Sequence, residues 1–159
     1  DSMGTGSVIY KDEIQVMSAG SGITHSEFNP SDKEDVSLLQ IWIFPKENNI
    51  KPRYDQKKFS IENRNNKLIP AVSGLNKEDS LYIHQNAEIF LGKFDKGSKV
   101  NYRISNLVNG AYIFLIDGQI KTVEEDLFKR DAIGIYETQQ FEIEVLNDAY
   151  FIIIDVPMN

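Results

Sequence analysis

The residues best suited to chemistry in this chain are His25 and Glu27, in the stretch "SAGSGITHSEFN" (18–29). On an extended strand, residues i and i+2 project from one face, about 6.5–7 Å apart along the chain. An imidazole and a carboxylate so placed can converge on one cation. The mixed nitrogen and oxygen set suits Fe(II), Mn, Ni or Zn, and two imidazoles with one carboxylate make a common non-haem iron site. Gly20 and Gly22 would let the backbone turn or bulge sharply just before the pair. By spacing alone, the plainer reading is a polar strand face. The chain holds only two histidines. The second, His84 in "LYIHQNAE", is far along the chain and reads as a structural histidine.

Other reactive types have weaker contexts. Ser18, Ser21 and Ser26 have no second histidine nearby to serve as a base. The "AGSG" glycines lack the spacing, the lysine and the following helix of a phosphate-binding loop. Met17, Trp42 and Phe44 read as core residues before ligand contacts. Glu124, Glu125 and Asp126 read as a solvated acidic turn. There is no cysteine, which excludes disulfides and thiolate chemistry and fits a reducing, cytoplasmic setting.

The elements that must carry His25 and Glu27 are strands. "SKVNYRIS" and "QFEIEVL" alternate apolar and polar residues, the pattern of half-buried antiparallel strands. "LLQIWIF" (38–44), "AYIFLI" (111–116) and "AYFIIIDV" (149–156) are short, nearly continuous apolar runs, expected as core strands buried on both faces. Asp117-Gly118 signals a hairpin and Asn109-Gly110 a turn. No stretch longer than about two helical turns has an apolar stripe of helical period. With 41% apolar and 11% aromatic residues the chain can bury a sizeable core, so the expectation is an all-β sandwich, jelly roll or barrel.

The net charge of −7 argues against nucleic acid as a direct partner, and no apolar run is long enough to span a bilayer. Asp1–Ser7 is neither basic nor apolar, so no signal peptide is read there. Charge is uneven, however: residues 45–67 carry seven basic and three acidic residues. Such a stretch reads first as a solvated linker, and second as an acidic-partner contact through Lys51, Arg53, Lys57 and Lys58. A short internal repeat relates "YKDEIQVMSAG" (10–20) to "FKRDAIGIYET" (128–138), aligning Asp12 with Asp131 and Ile14 with Ile133. About fifty residues of strand pattern precede the second copy and nine residues the first. The expected organisation is the tail of one β domain over 1–44, a basic linker over 45–80 and a complete β domain over 81–159. An isolated half-sheet exposes apolar faces and edges, so homodimerisation or strand exchange is expected.

"QVMSAGSGITHSEFN", with "LLQIWIFP", "PRY", "SLYIHQNAEIFLGKF" and "YFIIIDVPMN", resembles the pirin family of bicupin proteins across essentially the whole chain. The resemblance implies two jelly-roll cupin barrels, here one complete C-terminal barrel and part of an N-terminal one. It implies a single metal, usually iron (Fe2+), in the N-terminal barrel, held by three histidines and one glutamate. His25 and Glu27 match two of these ligands. The family's His-x-His pair has no match, so the chain is expected to be an N-terminally truncated member, weak in metal and of little activity. No metal is expected in the C-terminal barrel, where Glu137–Gln140 replace the glycine turn. The family's activity implies a quercetin 2,3-dioxygenase acting on a small flavonol-like substrate with O2, with Glu27 as ligand and as base for the substrate hydroxyl. The alternative is a metal-binding regulator of transcription factors or metabolic enzymes, without catalysis.

Overall fold

The computed structural model describes residues 6–20, 22 and 24–158. The "DSMGT" opening and Ser21 of the glycine turn lie outside them. Ten strands are described: β1 (Glu13–Ser18), β2 (Arg53–Lys58), β3 (Lys67–Ser73), β4 (Leu81–Tyr82), β5 (Glu88–Phe94), β6 (Lys99–Arg103), β7 (Asn109–Thr122), β8 (Glu125–Phe128), β9 (Ala132–Ile135) and β10 (Gln140–Pro157). One short helix, α1 (Ile61–Arg64), stands between β2 and β3. The all-β expectation holds, and the sheets are those of a cupin barrel. β1 and β2 form an antiparallel pair, and an eight-stranded sheet runs β4-β3-β5-β10-β7-β8, with β6 on β10 and β9 on β7.

The apolar run of β10 explains the architecture. Its odd residues Phe151 and Ile153 point into the barrel, among Val100, Ile113, Leu115 and Ile143. Its even residues Ile152 and Ile154 point outward, where Ile14 and Val16 of β1 and Ile43 pack on them. A strand apolar on both faces needs a layer on each side, and the N-terminal segment supplies the second. At the end of β10, fully buried Asp155 accepts from Tyr102 Oη at 2.8 Å, Ser105 N at 2.7 Å and Asn109 Nδ2 at 2.6 Å. These bonds fasten the 105–109 turn and meet the requirement that a buried carboxylate be fully hydrogen-bonded. Burial, then the Asp155 carboxylate, pushes the Tyr102 phenol far above its ordinary pKa.

Three expectations need correction. Residues 45–80 are not a solvated linker: β2 completes a ladder with β1, and β3 joins the large sheet beside β5. Asp117-Gly118 does not close a hairpin, because β7 runs straight through it while its register on β10 shifts. Gly118 takes φ +98°, and a Cβ there would lie 2.1 Å from Asp148 O, so this is a bend of a long strand pressed against its neighbour. The hairpin is made instead by Val123 and Glu124, both at positive φ, between β7 and β8. Finally, 38–44 is no buried core strand. It joins no ladder among the described residues, and only Ile43 of its seven residues reaches the core. Trp42 and Phe44, on the opposite face, are 82% and 86% exposed.

Candidate metal centre

The site begins at the end of β1. Ser18 pairs with Arg53, and the chain then turns through Ala19 to Gly22, whose N–H donates to Ala19 O at 2.9 Å. Gly20 takes φ +57°, and a Cβ at this position would lie 2.3 Å from Ile50 O. Backbone conformation and the close approach of 50–52 therefore both demand glycine. Beyond the turn, residues 24–30 leave the β1–β2 sheet and make no ladder with described residues. There His25 Nε2 and Glu27 Oε1 stand 4.0 Å apart, with side chains 28% and 38% exposed. The side chains thus converge as the i, i+2 spacing suggests, although no ladder holds their backbone.

An ion bonded to an imidazole nitrogen and a carboxylate oxygen at about 2.0–2.2 Å spans at most about 4 Å between them. The observed separation is at that limit, so a slight closing of the pair admits one ion, and the donor set fits a first-row divalent metal. Among the described residues no group of three or more His, Cys, Asp or Glu side chains is placed to hold a metal. His84 lies elsewhere, its ring edge-on to Tyr82 at 4.9 Å and its carbonyl accepting from Lys46 N at 2.8 Å.

The four candidate partner-contact cations separate into two groups. Arg53 donates to Tyr82 O at 2.9 Å and Asp55 Oδ2 at 2.7 Å. Lys57 pairs with Asp79 at 3.2 Å. Both are engaged within the chain, between β2 and the β4 region. Lys51 and Lys58 are exposed.

Sequence reasoning missed Arg64. Counted among the cations of a linker, it is 1% exposed and binds Asp12 and Tyr150. The only sequence signal was the repeat, which marks Asp12 as a structural position.

An eight-stranded cupin barrel with a second, partial layer carrying a His-x-Glu pair defines a cupin-type protein. The comparisons narrow this. Residues 71–156 match the model for the quercetinase C-terminal cupin domain, and residues 1–43 match the pirin model. The chain belongs to the pirin family. A quercetin 2,3-dioxygenase of Escherichia coli (strain K12) is 32% identical over 158 residues, covering 99% of this chain and 66% of that protein. The crystal structure of YhhW from Escherichia coli has a TM-score of 0.91 at 31% identity, over 98% of this chain and 65% of that one. A structure of bacterial pirin YhhW in complex with nickel(II), also from Escherichia coli, has a TM-score of 0.85 at 32% identity, over 92% of this chain and 62% of that one. This chain therefore spans about two thirds of the length of these relatives.

Proposed function

We propose that this chain carries part of the metal centre of a pirin-type oxidoreductase, with His25 and Glu27 as ligands. The observation that carries the reading is the 4.0 Å approach of His25 Nε2 to Glu27 Oε1 directly after a glycine-dictated turn. Membership of the pirin family, and the likeness to a pirin solved with nickel(II), support it. The whole protein would act as a quercetin 2,3-dioxygenase-type enzyme on a small flavonol-like substrate with O2, in the cytoplasm, using one iron ion.

His25 would hold the metal through Nε2. Glu27 would hold it through one carboxylate oxygen and, with the other, take the proton of a substrate hydroxyl. The metal would supply a Lewis-acid and redox centre for the substrate oxygen and O2. Two further imidazoles complete the family's ligand set, and the described residues do not provide them. On these two donors alone the 159-residue chain would bind metal weakly and turn over little. The regulatory alternative draws less support, because Arg53 and Lys57 are satisfied internally. Self-association through the exposed face of 36–44 remains part of the proposal, read out by the molar mass in solution.

The test is metal analysis and O2 uptake with quercetin, on this chain and on a longer family protein carrying the same strand. Iron retention and O2 uptake in the longer protein, both lost in its variants at the positions of His25 and Glu27, are expected. If the 159-residue chain retains stoichiometric iron and turns over quercetin even after His25→Ala, the assignment is wrong.

A further inference from the structure

Arg64 is the largest fully buried side chain described, and the proposed chemistry does not use it. It gathers three separate parts of the chain. Nη2 donates to Asp12 Oδ1, at the entry to β1. Nη1 donates to Tyr150 Oη at 3.0 Å, and the guanidinium carbon lies 4.7 Å from the Tyr150 ring centroid. Nε finds no acceptor among the described residues. Tyr150 sits where the register of β10 on β7 shifts, an irregularity that re-aims a side chain. Asp12 takes φ +67°, a left-handed conformation that aspartate tolerates, and its carbonyl also accepts from Phe59 N at 2.7 Å.

A buried guanidinium is an expensive way to stabilise a fold, since apolar residues of like volume often do as well. What a charged, forked group supplies is direction. Ile14 and Val16 can slide on Ile152 and Ile154 at little cost, but the Asp12–Arg64 bond cannot. The internal repeat gives a control. Asp131 likewise opens its strand, its carbonyl accepting from Leu115 N at 2.9 Å, yet its carboxylate only closes a local turn with Phe128 N at 2.9 Å. The copy that leads to His25 and Glu27 is the one whose aspartate is tied to a buried cation. We propose that Arg64 is a positioning residue for the metal ligands. Through Asp12 it fixes β1, and hence the Gly20 turn and His25, against the C-terminal barrel. This rests on the metal-site reading above.

The two histidines make the test direct, because in the 159-residue protein one reports on each region. The ring resonances of His25 and His84 are followed by NMR during a nickel(II) titration, in wild type, Asp12→Asn, Arg64→Met and the double variant. Amide exchange is recorded for the same proteins. Asp12→Asn should weaken nickel binding at His25 on the order of tenfold, the scale of losing an outer support of a ligand. It should also shift the His25 resonance without nickel and speed exchange in 13–18, leaving His84, β5 and β7 unchanged. The double variant, having no unpaired cation, should regain slow exchange in 13–18 in part, yet keep the weakened nickel binding and the shifted His25 resonance, because the directional bond is still absent. Faster exchange in 13–18 with His25 resonance and nickel curve unchanged would make Arg64 merely structural and overturn the proposal, as would no change in any readout. If wild-type His25 ignores nickel, the metal reading fails, and the metal-free His25 shift alone then decides whether Arg64 positions this strand.

Discussion

Replacing Asp155 should separate two substitutions that look alike on paper. In Asp155→Ala the Tyr102 hydroxyl loses its acceptor inside a core of aromatic rings, with Phe90 and Phe141 centroids at 5.4 and 5.3 Å. A hydrogen bond to a charged group is worth about 1.5–3 kcal/mol, and a buried donor left unmet costs on that scale. Asn109 Nδ2 also loses its 2.6 Å bond, keeping only long contacts to Ser105 Oγ at 3.3 Å and Asn86 O at 3.4 Å, for about 1 kcal/mol more. Ser105 is exposed, so its N–H can turn to water. The total is about 2.5–4 kcal/mol. Asp155→Asn keeps one acceptor for Tyr102 and places an NH2 opposite Asn109. The Asn109 Oδ1 atom is buried without a partner, so a flip of the Asn109 amide presents that oxygen to the new NH2. The asparagine variant should therefore lose only about 1–2 kcal/mol, the value of exchanging a charged acceptor for a neutral one. Urea unfolding of both variants measures this, provided their slopes match wild type. Equal losses, or a loss below about 1 kcal/mol in the alanine variant, would refute the network as the source of the stability.

Tyr102 gives a pH prediction. Its folded pKa is raised, chiefly by burial and then by Asp155, so the unfolded chain releases its proton first. This contribution is intact below the ordinary tyrosine value of about 10 and is lost as pH rises above it. Stability should fall more steeply above that point in wild type than in Tyr102→Phe. Trp42 is the sole tryptophan, so intrinsic fluorescence should be that of a water-exposed indole, quenched freely by acrylamide; a shielded emission would show that 38–44 is covered in solution. Gly20→Ala should cost at least about 1–2 kcal/mol from left-handed strain alone, with the Ile50 contact adding to it; an unchanged urea midpoint would remove the reason for glycine there. Lys77→Met strands Glu88, which is 1% exposed and 2.6 Å from the ammonium. A loss of about 2 kcal/mol is expected, below the range for fully buried pairs because the Lys77 side chain is 41% exposed. Glu88→Gln should lose less in the same unfolding assay.

The strands of the barrel were legible because alternation and continuous apolar runs report burial directly, as in β6 and β10. The run 38–44 was misread for the same reason: hydrophobicity records what a strand is suited to touch, not whether a partner is present. Asp117-Gly118 failed because turn residues also serve bends, and only the opposing strand, with Asp148 against Gly118, tells the two apart. His25 and Glu27 were legible as a pair by spacing. Arg64 was not, since nothing local marks a cation for burial when its partners stand 52 and 86 residues away in the chain.

Every strand that β10 pairs with is synthesised before it, and both apolar clusters close only on its two faces. The barrel therefore cannot assemble progressively as the chain is made. β1 and the turn after it emerge early and can pair with β2, but the cluster that Ile14 and Val16 pack on stays incomplete until β10 brings Ile152 and Ile154. Sequence-distant pairing of this kind makes folding slow and leaves incomplete chains prone to aggregation. A nascent chain stopped before β10 should thus be a substrate for chaperones and proteases, whatever its first hundred residues encode.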